Sequence, residues 1–508
     1  MNPSDYRREY VAYFSSVERE RFEHHAGLKR RPDLQPTEER YADLWTRASV
    51  EDLRRALEET PEQFETERAG LRALAGAASV KHAEESAREA TEELRRCSES
   101  ARVDWGGSKV ACDDVADLIA DETDAARRRE LARRLFDAAR ACDDLRAARL
   151  EALDEAARAL GFDRRRALYE SFTGANLGRL AADAEVFLER TGSAFMSRLA
   201  EWAARELPPG AGPEYADQFF FERAARFDVR FPAREFRALY TGALAGLGVR
   251  VESQQNLFID DTARPAKRAR SACFAVRPPE DVRLVVGARV SGLDFYRQTF
   301  REGARAQVFA WASRDASARH PEFVHAPDAA TEEGHALLLS GLFREPSWLA
   351  DGRGMRETEA REVARFDALL DLNEARRDCA RLRRALALDG AKDALSEQSA
   401  GEYVSLLGEA TGFRHQAGAW LLDADEWFRS ATRLRARLFA AGMREHLRSR
   451  HGRRWFASLA AGEELIDIWN TASRYRVEEL ARSVWGGELS FDLLADASLA
   501  ALNADGAA

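Results

Sequence analysis

No stretch of this 508-residue chain holds about 18 consecutive apolar residues, so no segment is built to cross a bilayer as a helix. Cysteine is scarce: Cys97, Cys112, Cys142, Cys273 and Cys379 are odd in number, scattered and without a C-x-x-C pair. That pattern argues against a disulfide framework and predicts free, mostly buried thiols in a reducing compartment. The opening MNPSDYRREYVAYFSS lacks the basic region followed by an apolar one that a secretory leader needs, so a cytoplasmic location is expected. Excess positive charge is missing too. Lys and Arg number 77 against 87 Asp and Glu, a net charge of −10, which disfavours general affinity for nucleic acid or anionic membrane. No G-x-S-x-G elbow, P-loop or dinucleotide fingerprint occurs, and Cys273 has no nearby histidine in sequence to activate it as a nucleophile.

What is present is helix-forming composition. Ala, Leu, Glu and Arg dominate, with apolar residues recurring at three and four positions, and 45% hydrophobic residues suffice for a large core and two or three domains. The clearest stretch is 121–161, where Leu131, Leu135, Phe136 and Ala139 share a face and Gly161 marks the end. No a/d heptad persists there, so it is not a coiled coil, and arginine runs such as ARRRELARR read as solvated faces paired with acids. ELPPGAGPEY (206–215) and DDTARPAKRARSA (260–272) read as loops. Between 273 and 290 lies the one convincing β segment: Phe274–Arg277 and Val282–Val286 flank a PPED turn. The closing LNADGAA should fray.

The helix after that β segment raises the functional question. FREGARAQVFAWA (300–312) has the length and spacing of a zinc-peptidase helix, yet contains no histidine. The order basic loop, strand DVRLVV, then GLDFYRQTFREGARAQVFA resembles the core of the thimet oligopeptidase and oligoendopeptidase F-like zinc peptidases (gluzincins), close to the branch that also resembles carboxypeptidase Taq. Their motif helix reads F/L-H-E-x-G-H-A-x-H-F-A. Phe300, Glu302, Ala306, Gln307, Phe309 and Ala310 fit, whereas Arg301 and Arg305 stand at the two histidine-ligand positions. In HPEFVHAPDAATEEGHALLLSGLFREPSWL (320–349), Phe323, Asp328, Trp348 and Leu349 match a second family block, and Glu333 takes the place of the third zinc ligand. In DADEWFRSATRLRARLFAAGMREHL (423–447), Phe428, Ser430, Ala431, Leu434 and Arg435 agree with a third block. Arg429 and Arg433 replace tyrosines that in the family assist the tetrahedral intermediate. The stretch 452–495 has the family's closing pattern. The resemblance covers most of the chain, faintly in the first 150 residues.

It implies an all-α, bilobal fold with one small β-sheet lining a deep channel. The domains expected are an N-terminal helical region, 1–210, and a peptidase-like region, 211–508, carrying the degenerate helix at 295–312. It also implies a zinc ion, with Glu302 as general base. Two neutral imidazoles at i and i+4 make such a site. Arginine has no lone pair to donate and stays protonated, so zinc is expected to be lost and no cofactor is expected. Arg301 and Arg305 then balance Glu302 and Glu333 with the same formal charge as the missing metal arrangement.

Arg429 and Arg433 have no obvious local partner in sequence. Either they face the cleft and recognise carboxylates or other anions, or they lie on a surface helix beside Asp425 and Glu426. Two competing zinc sites are weaker. TEEGH (331–335) with Glu359 has only one histidine, and His320, His325 and His335 have poor helical spacing. The leading expectation is a catalytically inactive relative that holds a peptide, a peptide-like or anionic ligand, or a protein partner in its channel, the strand carrying Val282 and Leu284 being the edge for β-addition. The alternatives are a metallopeptidase with an unconventional site or reused cleft chemistry through Glu302 and Glu333, and a subunit whose channel is vestigial.

Overall fold

Residues 1–289, 291–390 and 395–503 are described by the computed structural model, so most of the closing LNADGAA lies outside them. Nearly every element is a helix, as the composition predicts, and the helix ends use local chemistry. Asn2 caps Pro3–His25 by accepting from the Asp5 amide, with proline at the first turn, and Ser396 and Ser458 cap Glu397–Thr411 and Leu459–Trp469 in the same way.

The described strands are short. Arg102–Trp105 (β1) and Ser108–Ala111 (β2) form an antiparallel hairpin through Gly106 and Gly107, whose φ values of 59° and 81° suit the tight turn. Leu257–Asp260 (β3), Ala272–Arg277 (β4) and Asp281–Val285 (β5) form a sheet in the order β3-β5-β4. The β4–β5 hairpin is the one expected around PPED, with Ala272 opposite Val285 and Cys273 opposite Leu284. The parallel neighbour β3 and the β1–β2 hairpin were not expected. β3 corrects the functional reading, because β5 is the central strand. Val282 and Leu284 are fully buried, and β5 pairs with β3 on its other side, so it offers no edge to a peptide.

The chain divides into two compact units. The first comprises 1–81, 227–365 and 435–494, the second 82–226, 366–434 and 495–508. This differs from the single break at 210, and the physical reason is visible in the first unit. The N-terminal helix Pro3–His25 packs on β4 and β5, where Phe22 and Ala26 join Phe274, Val276 and Val285 in one apolar cluster. The first eighty residues therefore belong with the sheet.

In the second unit, Leu131, Leu135 and Phe136 pack with Val115, Tyr403, Leu407 and Trp420. The 121–161 stretch is two helices, Ala125–Ala139 and Asp143–Ala159, broken at 140–142. Cys142 sits at that break and is disulfide-bonded to Cys97, which corrects the expectation of free thiols for this pair; Cys112, Cys273 and Cys379 form no disulfide.

Candidate functional site

The zinc-like motif occupies Leu293–Trp311, close to the predicted span, here called the motif helix. Its buried face is aromatic: Phe300 meets Phe236, Tyr240, Phe343 and Trp348 edge-on. Its main neighbour is Ala330–Ser340, the partner helix, which carries Glu333. Two glycines allow close packing around this pair. A Cβ on Gly303 would lie 2.5 Å from the Tyr240 ring, and one on Gly334 2.5 Å from Phe439.

Between the two helices, Arg305 places one positive charge between two carboxylates. One guanidinium nitrogen donates to Glu302 Oε1 at 2.8 Å and another to Glu333 Oε2. All three side chains are mostly buried. Burial opposes the Arg305 charge, but Glu302 and Glu332 overcome it, so the guanidinium is held firmly protonated. Glu302 has a second donor, the Cys273 backbone N–H of β4, at 3.0 Å. It is thus used by the fold on both oxygens rather than aimed at a water. Arg301 reaches a different group: its Nε donates to Ser340 Oγ at 3.4 Å. Of the two arginines expected to balance the carboxylates, Arg305 is the one that bridges Glu302 and Glu333.

The same motif helix seals the outer edge of β4. Gln298 Oε1 accepts the Ser271 N–H at 2.9 Å, and its Nε2 donates to the Ser271 carbonyl at 2.5 Å. With Glu302 on Cys273, two helix side chains imitate a neighbouring strand. Neither Gln298 nor Glu18 was legible as a site residue. Glu18, on the N-terminal helix, acts electrostatically here. Burial, reinforced by Glu302, Glu18 and Asp328 and opposed by Arg305, pushes the half-buried Glu332 up to about 7. Burial and then Glu302 push the Cys273 thiol well above its ordinary value, so it stays protonated and inert, as the sequence implied.

The other sequence candidates separate. Arg433 has a partner the sequence did not reveal, Asp378, bound through two nitrogens at 2.6 and 2.9 Å. Arg429 is exposed. Asp425 instead caps the helix Arg429–His451 by accepting the backbone N–H of Arg429 and Ser430 at 2.7 Å, and Glu426 binds Arg149. In contrast, two positions matched in separate family blocks do meet: buried Arg435 binds Asp328 at 3.0 Å and Glu478 at 2.6 Å.

The histidines build no alternative site. His335 is buried between Phe439 and Trp469, neither ring nitrogen has a partner, and burial pushes it down to about 3. His325 stacks on Phe14, and His320 Nδ1 lies 3.2 Å from Glu322. Glu359, the third ligand of the TEEGH alternative, is held by Arg230 and Arg356, and Thr331 donates to the Tyr475 carbonyl.

The residues at the family's zinc position do not fit a zinc ion. A cation is already held between Glu302 and Glu333, the two imidazole positions are guanidinium groups, and among the described residues no group of three His, Cys, Asp or Glu is arranged to hold a metal. Likewise, among them no helix is long and apolar enough to cross a membrane.

Neither a protein-family model nor a curated protein matches the chain. Among solved structures it is similar to "PZ peptidase A with inhibitor 2", at a TM-score of 0.67 and 14% identity over 91% of this chain and 85% of that one. At that identity the likeness concerns architecture: the chain has a nearly all-helical, peptidase-like fold.

Proposed function

We propose that this protein is a non-hydrolytic member of the peptidase-like fold, a pseudopeptidase that holds a peptide or peptide-like ligand without a metal. The observation that carries the reading is the Arg305 guanidinium between Glu302 and Glu333. It bridges both carboxylates and offsets one of their two charges, occupies the space between the helices and donates no lone pair. Both Glu302 oxygens accept hydrogen bonds, from Arg305 and the Cys273 amide, which ties up the carboxylate that would act as general base. The similar solved structure is a peptidase with an inhibitor, which favours a peptide-like ligand over other classes.

A peptide would not add as a strand along Ser271–Cys273, because Gln298 and Glu302 already take those backbone groups. It would dock through side chains and termini instead.

The test is to load the purified protein with excess zinc, desalt it and measure bound metal. Under about a tenth of an equivalent is expected, since a strong three-ligand site survives desalting. Peptides should raise the melting temperature without being cleaved. A full equivalent of zinc, with hydrolysis abolished by Glu302→Gln, would restore the metallopeptidase reading. No thermal response to any peptide would favour a vestigial site.

A further inference from the structure

A second feature of the first unit is independent of the Arg305 bridge. A cleft of about 790 Å³ is walled by the first turns of the N-terminal helix, the β4–β5 turn and the short helix Arg314–Arg319 with the turn after it. None of Glu302, Arg305, Glu332 or Glu333 lines it. Five arginines and two glutamates do, in a chain whose net charge is −10.

The local pairing sorts these charges. Arg7 is bound to the buried Glu322 at 2.8 Å and to Glu67 at 3.0 Å, Arg8 to Asp5, and Arg319 to Asp315. Arg277 and Arg314 have no side-chain hydrogen bond or ion pair among the described residues, and both open onto the cleft from different elements. Glu280 is the one lining acid without such a partner. The rest of the wall is mixed: Ser4, Ser317 and His320 line it, and Val11, Pro278, Pro321 and Val324 form its apolar part, with the His325 ring stacked on Phe14 at 4.7 Å. Burial keeps that imidazole neutral, so it adds a flat surface and no charge.

We propose that this cleft binds a small organic phosphate, its phosphate clamped between Arg277 and Arg314 and its body resting on the apolar wall. Two guanidinium groups reaching from separate elements suit a dianion with several acceptor oxygens better than a single carboxylate. Arg277 and Arg314 against the single lining acid left without a partner, Glu280, leave a local excess of one positive charge, which favours an anion between them.

The test is calorimetry on the full chain with AMP, glucose 6-phosphate and inorganic phosphate. It compares the native protein with Arg277→Ala/Arg314→Ala and, as a control, with Arg453→Ala at another exposed arginine. At least one ester should bind with a Kd under about 1 mM. The double variant should bind it at least about tenfold more weakly, at unchanged melting temperature because both side chains are exposed, and the control should match the native protein. Binding of AMP alone assigns the wall to an aromatic base; binding of both esters assigns it to any compact body. Absence of binding by either ester, or equal binding by the double variant, overturns the proposal. Inorganic phosphate binding as tightly as the esters overturns the role given to the apolar wall.

Discussion

Two arginine-rich places in the first unit have the same raw chemistry and opposite states. At the motif helix, Arg305 is consumed by two carboxylates that the fold delivers from within its own turn and from the partner helix. At the cleft, Arg277 and Arg314 face space with no acid delivered to them. An arginine's role is therefore set by which acids arrive from elsewhere in the chain. A paired guanidinium holds structure, and one left facing a cavity is available to a ligand. Composition alone does not separate the two.

The comparison breaks most sharply if the Arg305 place is returned to metal chemistry. Arg301→His/Arg305→His puts imidazoles at i and i+4 beside Glu333, and bound zinc after desalting should rise from under about a tenth to about one equivalent. Failure to take up zinc would mean that Glu333 is not in the third-ligand position. Next in size is the loss of the bridge. Arg305→Ala leaves Glu302 and Glu333 mostly buried beside Glu332 without their cation, and urea unfolding should show a loss of about 3–5 kcal/mol. The matching change at the cleft, Arg277→Ala/Arg314→Ala, should move stability by no more than about 0.5 kcal/mol. Equal effects at the two places would erase the distinction. Between those two effects in size is Gly303→Ala, whose added methyl meets the Tyr240 ring. It should cost about 1–3 kcal/mol by overpacking, and combining it with a smaller residue at position 240 should recover part of that loss.

The legible parts of this fold were those fixed by local pattern. The family resemblance placed the motif helix nearly to its ends, and the spacing of PPED placed the β4–β5 hairpin. Register carried further than expected in one respect. Arg305 with Glu302 and Glu333, and Arg435 with Asp328, were matched in separate blocks of sequence and meet in the structure. What stayed hidden depends on long-range contact. The parallel strand β3 makes β5 central, and no residue in either strand signals it. Asp378 reaches Arg433 from a helix far back in the chain, and Glu18 reaches the site from the N-terminal helix. The division between units falls inside helices such as Glu357–Gly390, where no proline, glycine or change of composition marks it.

Glu332 supplies the finest test, because it reports on the Arg305 place through pH alone. Its carboxyl titrates at about 7 in the folded chain and in the ordinary carboxylate range when unfolded. Between those values the folded state binds the extra proton, so this group's contribution to stability falls as pH rises through the window and is constant above it. The slope is bounded by one proton, about 1.4 kcal/mol per pH unit. Buried His335 and His415 and part-buried His325 act in the opposite sense, since desolvation lowers each of them and stability is lost as pH falls below the ordinary histidine range. The measured quantity is therefore the difference between the native protein and Glu332→Gln, in which the histidines cancel. That difference should grow in favour of the variant from pH 5 to about 7 and then level off. Arg305 holds the Glu332 pKa down, so in an Arg305→Met background the levelling should move to higher pH. A levelling point that stays put would show that the guanidinium between Glu302 and Glu333 does not set the charge of this place.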